Sequence, residues 1–305
     1  MQKRILPIIL LLSAAILVIV GITTKPFNIM VTMAQQFTDG NTKENPVPED
    51  QDVQKNPVGE DQNNNQETEH NNASQPEIPE ENEENNPYPQ DPLLAFDKTT
   101  TVDAQGRQFV TNADSLLVLV TKKRNIPADY KPKNMVIPDV EFSFQGESPK
   151  KYLREEAARA LEELFQAAQK EGLNLLATSG YRSYETQKKI FENKTKAIGE
   201  EAANLVSAYP GQSEHQTGLA MDVTCSSVNY GLEESFGTTK EGLWVKDNAH
   251  KYGFIVRYPK GKESITGYIY EPWHIRFVGK EVAGYLFDHD LTLDEYFAEV
   301  YDYSL

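Results

Sequence analysis

A single cysteine, Cys225, stands in 305 residues, so no intrachain disulfide can form and the fold must rest on its core or on a metal. A lone cysteine is most often a small buried hydrophobe; a thiolate ligand is the lesser reading. Histidine is scarce as well, with five in the chain, so each one placed in a motif carries information. Positive charge is in deficit: 30 Lys and Arg against 46 Asp and Glu give a formal net charge of −16. That balance argues against a nucleic-acid partner, whose phosphates call for a basic surface. The deficit is local. Between Asp39 and Asp91 stand 15 acidic residues and 2 lysines, a net of −13, which leaves about −3 for everything else (−16 minus −13). The acidity describes a tail and not an active-site field. No internal repeat is present, and helices and strands do not alternate as βαβ units, so the expected fold class is α+β.

Three regions follow. Lys3 and Arg4 precede an apolar run of 18 residues, Ile5 to Ile22. As a helix it would span roughly 27 Å, close to a bilayer core and longer than the usual signal-peptide core of roughly 7–15 residues. Residues 1–36 therefore read as a membrane anchor, with a cleaved signal peptide as the alternative (Thr32-Met33-Ala34 would be the site). No cysteine lies near for a lipid anchor. The basic flank keeps that end cytoplasmic, so the rest should be extracytoplasmic. Residues 37–92, rich in Asn, Gln, Glu, Asp and Pro, cannot bury enough surface to offset ordering and read as a disordered acidic linker. Residues 93–305 have the size of one globular domain.

Within that domain Leu116–Val120 reads as a buried strand. Ser148 and Pro149 read as the start of a helix ending at Gly172, with Leu153, Ala157, Leu161, Leu164 and Ala168 on its apolar face. Further helices are expected from Ser183, over Glu200–Ala208, over Glu241–Tyr252, and after Thr292, where Glu295 completes a capping box. Strands are expected at Leu173–Thr178, Leu219–Thr224, Phe254–Tyr258 and His274–Val278.

Two stretches carry chemistry: Ser213-Glu214-His215-Gln216-Thr217-Gly218-Leu219-Ala220-Met221-Asp222 and Glu271-Pro272-Trp273-His274. Two histidines, an aspartate in an apolar setting and one further glutamate make up three N/O ligands of a catalytic zinc and a proton carrier. Gly218 permits a tight turn between His215 and Asp222. Each residue alone has a plainer reading: a loop histidine, an aspartate paired with an arginine, a structural histidine beside a surface glutamate. Pro272 disfavours a helix at Glu271, and in a flat strand residues three apart face opposite ways. The chain must bend there if Glu271 and His274 are to serve one ion.

The combined pattern Ser-x-His-x-x-Gly-x-Ala-x-Asp and Glu-x-x-His resembles the zinc D-Ala-D-Ala carboxypeptidases and dipeptidases of bacterial cell walls, with the VanY-type branch the nearer. Ser179-Gly180-Tyr181-Arg182-Ser183 with Gln187, and Arg257-Tyr258-Pro259, extend the likeness from about Ser115 to Gly279. The resemblance implies a single small domain with a central antiparallel sheet flanked by helices. It implies zinc held by His215, Asp222 and His274, Glu271 as catalytic base, and Arg182 as stabiliser of the oxyanion. It implies substrate contacts from Gln187, Ser213 and Tyr258. The expected activity is removal of a terminal D-alanine from peptidoglycan stem peptides, by a monomer. L,D-carboxypeptidase action on tetrapeptide stems is the alternative within that chemistry, and a non-catalytic wall-binding module the alternative outside it. The intact ligand set, with Glu271 and Arg182 present, argues against the latter.

Overall fold

The computed structural model describes residues 92–301 and 303. The anchor read at 1–36 and nearly all of the linker read at 37–92 fall outside them. Among the described residues no helix is long and apolar enough to cross a membrane.

A helical turn, α1 (Phe96–Thr99), leads into β1 (Thr100–Val102), which pairs antiparallel with β2 (Gln108–Val110); β2 in turn pairs parallel with β3 (Arg124–Asn125). Then come a two-stranded ladder of β4 (Met135–Val136) and β5 (Leu153–Arg154), the long helix α2 (Glu155–Lys170), and β6 (Leu176–Ser179). Helices α3 (Tyr184–Ile198) and α4 (Glu200–Val206) precede β7 (Ala220–Thr224). The rest is α5 (Lys240–Asn248), β8 (Phe254–Tyr258), α6 (Glu263–Thr266), β9 (Glu271–Phe277), α7 (Lys280–Asp288) and α8 (Leu293–Tyr301). The main sheet has the order β6-β7-β9-β8, with every neighbouring pair antiparallel. This is the central antiparallel sheet with flanking helices that the family resemblance implied, within the α+β class read from the residues.

Side-chain alternation divides the two inner strands. Met221 and Val223 on β7, and Ile275 and Phe277 on β9, join one core cluster with Ala157, Leu161, Leu164 and Ala168 of α2. Asp222 and, opposite it, His274 point the other way, with Arg276 two residues on. One face of the sheet is thus apolar core and the other carries charge. A second cluster packs Leu286, Leu293, Phe297 and Val300 of the last two helices against Ile255 and Val278. The Thr292–Glu295 capping box forms reciprocally, with Thr292 N donating to Glu295 Oε2 at 2.8 Å and Glu295 N to Thr292 Oγ1 at 3.0 Å.

Two expectations fail for identifiable reasons. Ser148 caps only a 3-10 turn, Pro149–Lys151, and α2 begins at Glu155. The intervening backbone is committed elsewhere: the carbonyls of Lys150 and Tyr152 accept from Gly180 N at 2.7 Å and Tyr181 N at 2.9 Å. Leu153 is core, but from β5. Leu116–Val120 has no strand partner. The carbonyls of Leu116 and Val118 instead accept from Arg276 Nη2, each at 2.9 Å, and that of Leu119 from Arg124 Nη1 at 3.2 Å. Buried arginines supply the donors that a ladder would have supplied.

Candidate metal centre

His215, Asp222 and His274 come together from three segments, each offering a ligand atom within 4.8 Å of the others, and all three are buried. Asp222 and His274 are cross-strand partners on β7 and β9. His215 arrives on a 3-10 turn, Glu214–Thr217, that stops at Gly218 with φ 70°. A side chain at Gly218 would be strained there, and its Cβ would lie 2.9 Å from Met135 Sδ. The bend required at Pro272 is present. Val256 lies opposite Ile275, but Tyr258 lies opposite Glu271, so two steps along β8 match four along β9. The ladder is thus irregular over the stretch that separates Glu271 from His274 and departs there from a flat strand.

The donor set fits a zinc ion. His215 Nδ1 lies 2.8 Å from the carbonyl of Gly180, which can only accept, so Nδ1 carries the proton and Nε2 keeps its lone pair. That lone pair is 3.4 Å from Asp222 Oδ2, and His274 Nδ1 is 3.0 Å from Asp222 Oδ1. Tetrahedral zinc with bonds of roughly 2.0–2.1 Å separates its ligand atoms by about 3.3 Å. Among the described residues Asp222 has no Lys or Arg ion-pair partner, only the two imidazoles. Burial opposes its charge, yet His215 and His274 hold it well below the ordinary carboxylate range. His274 is pushed up to about 9, its burial outweighed by Asp222 and Glu214. A buried carboxylate flanked by two imidazoles is a donor set that could hold a cation.

Glu271 is not in the ligand group. Burial pushes its carboxyl up to about 7, partly offset by the charges of His274, Arg182 and Lys122. A carboxyl poised near neutrality beside a candidate metal site has the pKa that a general base needs. Arg182 is held by neutral groups: Nη1 donates to Gln187 Oε1 at 2.9 Å and Nη2 to Ser179 Oγ at 3.2 Å. Among the described residues it has no carboxylate ion pair, so its charge remains available to an anion. Burial pulls its pKa down against the pull of Asp222 and Glu271.

Of the residues expected to contact substrate, Gln187 is engaged at both ends. Its Oε1 accepts from Arg182, and its Nε2 donates to Ala208 O at 2.6 Å and Ser207 Oγ at 3.3 Å. Ser213 precedes the His215 turn and is buried, without capping it. The buried Tyr258 ring lies between Tyr268, centroid 4.6 Å away, and His274, 5.1 Å away. Cys225 is core, its Sγ 3.2 Å from Ser227 Oγ, and is no part of the ligand group. Sequence reasoning missed Glu214, Arg276 and Lys122. A glutamate inside a buried-looking motif, with Arg257 and Arg276 inside strand-like apolar runs, signals that each needs a partner; at separations of 43 and 62 residues the sequence does not say which.

A family model described as VanY, D-alanyl-D-alanine carboxypeptidase, matches residues 150–280. The putative carboxypeptidase YodJ of Bacillus subtilis (strain 168) is 55% identical over 195 residues, 64% of this chain and 71% of that protein. This chain belongs to the VanY family. The bifunctional D-Ala-D-Ala dipeptidase and D-Ala-D-Ala carboxypeptidase VanXYC of Enterococcus gallinarum is 32% identical over 182 residues, 59% of this chain and 92% of that protein. Among solved structures, the LdcB LD-carboxypeptidase superposes with a TM-score of 0.63 at 53% identity, covering 65% of this chain and 93% of that one. The VanY match spans every candidate site residue from Arg182 to His274, ends at the first residue of α7, and excludes Lys122 and α8.

Proposed function

We propose that the chain is a zinc-dependent carboxypeptidase that releases the terminal D-alanine of peptidoglycan stem peptides. The observation that carries this is the buried His215–Asp222–His274 triad beside Glu271 and Arg182, in a VanY-family chain. His215 Nε2, an Asp222 oxygen and His274 Nδ1 would hold the ion. When bound, zinc would polarise the scissile carbonyl and lower the pKa of a water to roughly 7. Glu271 takes the proton of the attacking water and returns it to the leaving amine. Arg182, steadied by Gln187 and Ser179, would face the developing oxyanion with a charge that has no carboxylate ion pair among the described residues. Tyr258 walls the site beside His274, and Ser213 lies where the His215 turn begins.

The VanY family name and the likeness to VanXYC favour a D,D bond in pentapeptide stems. The 53% identity to an LD-carboxypeptidase favours a second reading, an L,D bond in tetrapeptide stems. Both release D-alanine, and the same machinery serves either. Incubation with tri-, tetra- and pentapeptide stems, reading the products by mass spectrometry, separates them. A D,D enzyme shortens only pentapeptides, an L,D enzyme shortens tetrapeptides, and no release from any stem refutes the proposal. The apolar segment and acidic linker of residues 1–92 would tether this domain outside the membrane as a monomer.

A further inference from the structure

Glu214 precedes His215 in the chain but faces the other histidine. Its carboxylate is buried, and its two oxygens have different duties. Oε1 accepts from Arg257 Nε at 2.8 Å and from Arg276 Nη1 at 2.6 Å. Among the described residues neither Oε2 nor His274 Nε2 has a hydrogen-bond partner, and these two buried atoms face each other at 3.5 Å. A ring nitrogen and a carboxylate oxygen are a donor and an acceptor that complete each other with a small approach. We propose that Glu214 is a positioning residue of the metal centre: it accepts the Nε2–H of His274, so that Nδ1, the nitrogen facing Asp222, is the one left free to bind the ion. The inference rests on the zinc reading above.

The surroundings explain why a carboxylate can be kept there, dry and oriented. Arg257 also bonds Asp294 on α8, so two guanidiniums and two carboxylates balance within the interior. Arg276 is anchored further by the carbonyls of Leu116 and Val118. With Oε1 pinned by two arginines, Oε2 is directed at the imidazole. His274 needs this more than His215 does. The carbonyl of Gly180 already fixes the His215 tautomer at 2.8 Å, while among the described residues His274 has no backbone acceptor at Nε2. Each ligating imidazole would then have its own acceptor behind it, which fixes the tautomer and raises ligand basicity.

The test is zinc affinity, measured by chelator competition on the full-length protein, with the visible spectrum of the cobalt-substituted form as a second readout. Glu214→Gln should weaken zinc about 10–100-fold and alter the cobalt spectrum. Asp294→Asn removes a charge from the same buried group without touching His274, and should lower the melting temperature while keeping wild-type zinc affinity. If Glu214→Gln does not fold, the charge-balanced Glu214→Gln/Arg276→Met carries the same comparison against Arg276→Met. A folded Glu214 variant with wild-type affinity and spectrum overturns the inference. So does an Asp294→Asn protein that loses zinc as severely, because the role would then be structural alone. A wild-type protein that binds no zinc refutes the metal reading itself, an outcome distinct from both.

Discussion

Asp222 Oδ1 lies 3.0 Å from His274 Nδ1 while Asp222 Oδ2 lies 3.4 Å from His215 Nε2. One carboxylate thus presents one oxygen to each imidazole. A buried anion in that position holds two bases in place without a fixed cation of its own, and removing either base should dismantle the site. Purified protein should contain about one zinc per chain, since the donor set is single among the described residues. His274→Ala should lose most of it by metal analysis, with far-ultraviolet circular dichroism unchanged. Zinc retained at wild-type stoichiometry would refute this ligand set.

Glu271 should be dispensable for the metal and indispensable for turnover. Glu271→Gln should keep zinc and lower turnover by about 10²–10⁴, the usual range for a general base. Metal loss accompanying the lost activity would make Glu271 a ligand instead.

The same carboxyl gives a pH signature in the metal-free protein. Burial raises its pKa from 4.5 to about 7 on folding, so between those values the folded state binds more protons than the unfolded one. Stability must then fall as pH rises through that window. Glu271→Gln escapes the penalty. The variant should match wild type near pH 4 and exceed it above pH 7 by on the order of 2–4 kcal/mol, read from urea titrations of the chelated proteins. A gap that stays constant with pH would mean the carboxyl is not desolvated.

What the sequence revealed, and what it hid, divides along range of interaction. Helix α3 starts where Ser183 predicts, with Ser183 Oγ accepting from Thr186 N at 3.2 Å, and β8 occupies Phe254–Tyr258 as expected, because caps and alternation are local. The triad was legible because its motifs are short and its residue types rare. Leu116–Val120 and Ser148 misled because their backbone partners, Arg276 and the Gly180–Tyr181 segment, lie far away in sequence. The apolar pattern reports that a segment is buried; it does not report which donor will satisfy it. Glu214 was passed over for the same reason: its partners Arg257 and Arg276 are 43 and 62 residues distant.

The boundary of the active domain should fall close to residue 92. Leu94 is buried in the second core cluster, and its carbonyl accepts from Tyr303 O–H at 2.6 Å. The carbonyl of Thr99 accepts from buried Arg124 at 3.0 Å. Removing residues 1–91 should leave activity on a short soluble peptide intact, while removing 1–99 should strip these contacts and lower the melting temperature by several degrees. Equal stability of the two truncations would place the boundary later.

Arg182 offers a charge to an anion, and two anions are available: the oxyanion at the scissile carbon and the terminal carboxylate of the substrate. Amidated stem peptides tell them apart. A carboxypeptidase site should cleave an amidated peptide one to two decades more slowly, since losing a charge-assisted bond and stranding its donor costs roughly 1.5–3 kcal/mol. Arg182 sits within reach of the fields of Asp222 and Glu271, at the end of the site that holds the candidate ligands, so its partner should be the oxyanion. Arg182→Ala should therefore lower kcat on free-acid and amidated substrates by the same factor. Gln187→Ala should do the same to a smaller degree, because both of its polar ends are spent, one on Arg182 and one on the backbone of Ala208. The double variant should be little worse than Arg182→Ala alone, as for residues acting in series. If instead Arg182→Ala slows only the free-acid peptide, the arginine clamps the terminal carboxylate. If amidated and internal peptides are cut as fast as free-ended ones in the wild type, the site has no end-recognition and the carboxypeptidase reading fails.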